Sequence, residues 1–212
     1  MLNQLEKIFG GRDRVRLIRF FLHNQEEFFL KEEISTKLQI RPNTLRREIR
    51  FLENVSFLLK KRIQKTILIP ARKRNKDPIM KKRKADGWKL NPNFEYLRPF
   101  TKIFAEDRDL NNNVFIKNFK GMGNMQFIMV TGFFMHDDEA RADLLIVGDK
   151  LKKDLIERVI HKIEAEMGRE LRYIIFDTAE FSYRMKMYDR LIRDIINGPK
   201  RVLLDKLGTA LD

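Results

Sequence analysis

Apolar positions fall into two rhythms along the chain. In residues 13–22, Leu17, Ile18, Phe21 and Leu22 share one face at helical spacing, which predicts a helix. Phe28-Phe29 suggests a short strand. Ile34 and Leu38, four apart, predict a second helix over 31–38. Arg41-Pro42-Asn43-Thr44 reads as a turn into a third helix, with Pro42 or Asn43 near its start. There Leu45, Ile49 and Leu52 point inward, and Asn43, Thr44, Arg46, Arg47 and Arg50 point away. Phe57-Leu58-Leu59-Lys60-Lys61-Arg62 and Gly87-Trp88-Lys89-Leu90 read as the strands of a hairpin. Pro70 and Pro78 argue against a continuous helix between them, and Thr66-Ile67-Leu68-Ile69 is β-prone enough to extend the strands. Pro92 introduces a helix over 94–104, and 107–113, with Asn111-Asn112-Asn113, reads as a linker.

Beyond the linker the pattern is α/β. Residues 125–130 and 143–148 are apolar strands, the second the strongest such signal in the chain. Residues 151–167 form an amphipathic helix with Leu155, Ile156, Val159, Ile160 and Ile163 inward, stopped by Gly168. A strand over 171–176, a helix over 181–196 ended by Asn197-Gly198-Pro199, and a short strand over 202–204 complete the half. The later helix is rich in large side chains (Phe181, Tyr183, Met185, Met187, Tyr188, Leu191, Ile192), more than one core face needs, so a subunit interface is an alternative to core packing.

Charge sharpens this division. The net charge is +14, with 26 Lys and Arg against 12 Asp and Glu in residues 1–106 and 18 of each sign in the remainder. All the excess therefore lies in the first half, and a field of that sign attracts polyanions through phosphate neutralisation and counterion release. Residues 60–84 alone hold twelve Lys or Arg and one acid, Asp77. A membrane surface would call for a basic amphipathic helix with aromatic anchors, and none stands out. No apolar run approaches ~18 residues, cysteine is absent, and residues 1–7 read as the start of a helix rather than a secretory signal. A cytoplasmic protein with no membrane partner is expected. The apolar content of 43% is enough for a packed core.

Three helices followed by a basic hairpin resemble a winged-helix DNA-binding domain over residues 1–92. The resemblance rests on the element order, on Glu32-Glu33-Ile34-Ser35-Thr36-Lys37-Leu38 and on the Arg-rich third helix. It implies double-stranded DNA as partner, with Arg41, Asn43, Thr44, Arg46, Arg47 and Arg50 on the recognition helix and Lys60, Lys61, Arg62, Lys65, Arg72, Lys73, Arg74, Lys81, Lys82, Arg83 and Lys84 on the wing. Some such domains dock proteins instead; the charge argues against that here. Residues 111–207 resemble the minimal nucleotidyltransferase fold of the polymerase-beta superfamily. Val130-Thr131-Gly132, Asp143-Leu144-Leu145-Ile146-Val147-Gly148-Asp149 and Gly168-Arg169-Glu170-Leu171 carry that likeness, with Thr178-Ala179-Glu180-Phe181 and Asp194-Ile195-Ile196-Asn197-Gly198-Pro199 in support.

The family's site takes a Gly-Ser turn for phosphates and two carboxylates, two residues apart on a strand, for Mg²⁺. Here the turn is Gly132-Phe133, and the aligned pair is Arg141 and Asp143. A cation in place of a ligand opposes a metal, so neither nucleotidyl transfer nor a metal or other cofactor is expected. Arg141 should instead attract a phosphate or pair with Asp143. Asp137, Asp138 and Glu139 read as a solvated turn; His136 and His161 lack ligand spacing, and His23 sits near the end of the first helix. Gly121-Met122-Gly123 is only superficially a phosphate loop.

The expected fold class is thus α+β: an N-terminal winged helix-turn-helix domain (1–106) and a C-terminal minimal nucleotidyltransferase-like α/β domain (107–212). The expected function is transcriptional regulation by sequence-specific DNA binding, with the degenerate domain sensing a nucleotide or small-molecule effector or forming a homodimer. An active nucleotidyltransferase and an antitoxin-like or scaffold protein that pairs with another chain are the rivals.

Overall fold

Each half of the chain builds one small sheet against which its helices bury their apolar faces. A computed structural model describes residues 4–69, 79–105 and 112–209. The fold is mixed α and β and divides into two compact units, Met1–Ala105 and Glu106–Asp212. Among the described residues no helix is long and apolar enough to cross a membrane.

The first unit runs α1 (Gln4–Ile8), α2 (Arg12–His23), β1 (Phe29–Leu30), α3 (Lys31–Leu38), α4 (Pro42–Asn54), β2 (Leu58–Ile69), β3 (Ile79–Leu90) and α5 (Leu97–Phe100), which continues as a π-type turn (Thr101–Ala105). Its sheet has the order β1-β3-β2, antiparallel throughout. Leu17 and Phe21 of α2, Ile34 and Leu38 of α3, and Leu45, Ile49 and Leu52 of α4 meet in one core with Trp88. The inward positions expected from the helical period are buried. Two arginines of α2 are buried as well: Arg16 donates to the Leu38 carbonyl and Arg19 to the Phe104 carbonyl. An edge-to-face cluster, Phe9 on Phe104 and Phe57 on Phe94, docks the segment after β3 onto this core.

The hairpin pairs without a break from Leu58↔Leu90 to Ile69↔Ile79. Its strands therefore extend through the basic insert rather than stopping at 62 and resuming at 87, because the β-prone 66–69 patch finds a partner in 79–82. Residues 70–78, with Arg72, Lys73 and Arg74, lie outside the described residues. The helix expected over 94–104 begins later, at Leu97, because turns occupy the residues after Pro92. The expected linker is shortened by α6 (Asn112–Lys117), which the sequence pattern did not reveal.

In the second unit β4 (Asn124–Thr131), a 3₁₀ turn (Gly132–Met135), β5 (Leu144–Asp149), α7 (Lys153–Met167), β6 (Tyr173–Phe176), α8 (Thr178–Lys186), α9 (Arg190–Asn197) and β7 (Lys200–Asp205) form a sheet of order β6-β5-β4-β7. Only the β5–β6 pair is parallel. The two-residue period of the strands sorts the core into two layers. Ile128, Val130, Leu144 and Ile146 face α7, where Ile156, Ile160 and Ile163 meet them. Phe127, Met129, Leu145 and Val147 face Phe181 of α8 and Ile192 and Ile195 of α9.

The single helix expected over 181–196 is corrected to two. Asp177 caps α8, accepting from the Glu180 amide at 2.7 Å, and Asp189 caps α9, accepting from the Ile192 amide at 3.2 Å. Between them Tyr188 adopts φ 52°, the left-handed region, and is 80% exposed. Tyr183 and Met187 are exposed too. A tyrosine in that conformation carries a backbone penalty that glycine escapes. Tyr188→Gly should stabilise the protein by about 0.5–1 kcal/mol, read as a higher urea midpoint, whereas Tyr188→Ala should bring no gain.

Candidate nucleic-acid interface

Helix α4 carries the candidate base-reading residues. Arg41 is its N-cap in extended backbone and Pro42 its first residue, a position where a missing N–H costs nothing. Arg41, Asn43, Arg46, Arg47 and Arg50 are exposed and Thr44 is half-buried. The apolar stripe Leu45, Ile49 and Leu52 fixes this orientation, and Glu48 is buried beside it at 3% exposure. A carboxylate cannot be stripped of water there unless cations replace it. Arg14 of α2 supplies Nε at 2.7 Å from Oε2, and Arg47 places Nε and Nη2 each at 3.0 Å from Oε1. The Arg14 guanidinium also lies 3.7 Å from the Phe51 ring centroid. Neither Glu48 nor Arg14 stood out in the sequence pattern. The available signal was that Glu48, an acid, falls at helical spacing from Leu45 and Leu52 on the inward stripe.

The cations of the β2–β3 hairpin separate into engaged and unengaged groups. Lys65 donates to Glu33 at 2.9 Å and to the Phe28 carbonyl at 3.2 Å, so it staples the hairpin to the start of α3. Lys60 pairs with Asp86 at 2.8 Å, which raises its pKa and lowers that of Asp86. Lys61, Arg62, Lys82 and Lys84 are exposed, and like Arg41, Arg46 and Arg50 they make no hydrogen bond or ion pair among the described residues. Lys81 and Arg83 lie in β3. The Nε1–H of Trp88 donates to Glu53 at 2.8 Å and fixes β3 against the end of α4.

In the second unit the residues aligned with a nucleotidyl-transfer site do not meet as the sequence suggested. Arg141 lies with Asp143 in the stretch before β5 but does not pair with it: its side chain is 59% exposed and its Nε is 3.7 Å from Asp194. The partner of Asp143 is Arg172, because the parallel β5–β6 register sets 143 beside 172. Asp143 is fully buried. Its Oδ1 accepts from the Phe133 amide at 2.8 Å and Arg172 Nη2 at 2.9 Å. Its Oδ2 accepts from the Arg172 amide at 2.8 Å and Nε at 3.1 Å. Burial acts to raise the Asp143 pKa, but the hydrogen bonds from Arg172 and Phe133 outweigh it and hold the carboxyl below its usual 3.8. Gly132, at φ 52°, is required: a Cβ there would collide with Asp143 Oδ1 and the Ala142 carbonyl. Arg172 Nη1 also donates to the Asp138 and Ala140 carbonyls, and Arg169 pairs with Asp138 at 2.8 Å, so the 136–142 loop is tied down.

The other candidates are accounted for by local structure. Asp137 accepts from the Glu139 amide, and His161 lies 2.7 Å from Glu164. A Cβ at Gly123 would lie 2.8 Å from the Lys150 carbonyl, so that glycine serves a close backbone approach. Among the described residues no group of three or more His, Asp or Glu is placed to hold a metal ion. Comparison with protein-family models, with curated proteins and with solved structures finds no match for this chain.

Two outcomes follow from the buried carboxylates. Glu48→Ala should cost about 2–3 kcal/mol in chemical denaturation, since it leaves Arg14 without its hydrogen-bond partner. Asp143 has a depressed folded pKa, so its contribution is present above the unfolded value near 3.8 and is lost as pH falls through the folded one. Asp143→Asn should therefore destabilise the second unit by about 2–3 kcal/mol at neutral pH. It should also flatten the decline in stability below pH ~4, measured by urea titrations from pH 7 to pH 2.

Proposed function

We propose that this protein is a sequence-specific, double-stranded-DNA-binding transcriptional regulator. Its first unit acts as a winged helix-turn-helix domain, with α4 as recognition helix and the β2–β3 hairpin as wing. The observation that carries this reading is the confinement of the +14 excess to residues 1–106, together with exposed, unengaged cations on both α4 and the hairpin. Arg41, Arg46 and Arg50 are the available cations of the helix; Lys61, Arg62, Lys82 and Lys84 are those of the wing. An arginine in the major groove reads guanine through two parallel hydrogen bonds, whereas lysines on an extended arm meet phosphates.

The second unit, on this reading, is a nucleotidyltransferase-like domain without transfer chemistry, kept for effector sensing or for oligomerisation. Support comes from Asp143, whose two oxygens already accept four hydrogen bonds, and from the tied-down loop before it. The exposed Tyr183, Met187 and Tyr188 support a contact between copies of the chain.

Fluorescence anisotropy of a labelled duplex, titrated with the full chain at two salt concentrations, tests the reading. Binding at low salt should weaken steeply as salt rises, the logarithm of the constant falling with a slope of about −0.9 per phosphate contact. Absence of binding at low salt, or binding indifferent to salt, would contradict it.

A further inference from the structure

On the DNA-binding reading the arginines of α4 would all face one groove. We infer that they are not equivalent: Arg47, joined to Arg14 through Glu48, holds a backbone phosphate of the nucleic acid, and base preference rests on Arg46 and Arg50. The inference depends on the function proposed above.

At about 100° per residue, Asn43, Arg46 and Arg50 fall on one outward stripe of α4. Thr44, Arg47, Glu48 and Phe51 fall on the flank beside it. That flank meets the turn before α2. The guanidinium of Arg47 is drawn sideways onto its own neighbour, with Nε and Nη2 each 3.0 Å from the same Glu48 oxygen. An arginine reads guanine best through two parallel donors, and the Nε–Nη2 edge of Arg47 is already occupied. Arg46 and Arg50 carry no such restraint.

The place where Arg47 is held suits a tetrahedral anion. A cleft of about 140 Å³ opens there, lined by Gly10, Gly11, Arg12, Arg14, Thr44 and Arg47, with Asp13 and Glu48 also on its wall. Gly11 leaves open space at its Cα, and Arg14, whose guanidinium lies over Gly10, is fixed by Glu48 and Phe51. Three guanidiniums line the cleft, two of them held on Glu48, with the Thr44 hydroxyl beside them. A phosphate in the cleft would set the register of α4 on the duplex without reporting its sequence.

The full chain should be titrated with two duplexes, one selected as preferred from a random pool and one unrelated, across a range of salt. Arg47→Ala should weaken both by the same factor, leave their ratio unchanged and reduce the salt slope by about 0.9. Arg47→Lys, which keeps the charge, should retain most of the affinity. Arg46→Ala or Arg50→Ala should reduce the preferred-to-unrelated ratio about fivefold or more. Arg46→Ala and Arg50→Ala remove exposed, unengaged side chains and should leave the melting temperature near that of the parent protein. Arg47→Ala leaves Glu48 with Arg14 alone and should lower it, so all duplexes are titrated at a temperature where every variant is folded. A collapse of the ratio in Arg47→Ala, or unaltered binding of both duplexes by that variant, would overturn the inference while leaving DNA binding intact. Failure of the parent protein to bind either duplex would overturn the DNA-binding reading and the inference with it.

Discussion

The buried carboxylate of Glu48 sets the terms for the first unit. A charge at 3% exposure survives only when every lost water is replaced, and the replacements come from Arg14 on α2 and Arg47 on α4 itself. Apolar packing of Leu45, Ile49 and Leu52 tolerates rotation of a helix by some degrees; a hydrogen bond of 2.7 Å to a neighbouring helix does not. The pair thus fixes the rotation of α4 about its own axis and determines which side chains it presents. The Trp88–Glu53 bond secures the other end of the same helix against β3. The candidate surface follows from these few polar contacts inside an otherwise apolar core.

The second unit uses the same device for a different result. Asp143 is fully buried and held by Arg172 and two backbone amides. These bonds join the turn after β4 to the residues that lead into β5 and β6. In the first unit a buried charge orients an exposed helix face; in the second it ties together segments at one end of the sheet. The charge distribution separates the halves too, since the second carries no net excess.

Much of the fold was legible because local periodicity decides it. The inward faces of α2, α3, α4 and α7 and the strands β4 and β5 follow from spacings of three, four and two residues. What escaped were features set by partners distant in sequence or by single backbone torsions. Arg14 and Glu48 are 34 residues apart, and Asp143 and Arg172 are 29 apart; only the tertiary fold unites them. Sequence spacing offers Arg141, two residues away, as a partner for Asp143, yet Arg141 lies 3.7 Å from Asp194 and Arg172 takes the place beside Asp143. The break between α8 and α9 depends on one left-handed tyrosine followed by the cap Asp189, and the apolar spacing of 181–196 runs straight through it. Lys65 shows the limit of charge counting: the same lysine that reads as a wing cation is held by Glu33.

The central claim is that α4 reads bases on a duplex, and the most direct measurement is selection of bound sequences from a random double-stranded pool by the full chain. The account predicts convergence within a few rounds on one short motif containing guanine, as arginine readout requires. Bound sequences as diverse as the starting pool would mean that the positive field grips phosphates alone, and α4 would not be a recognition helix.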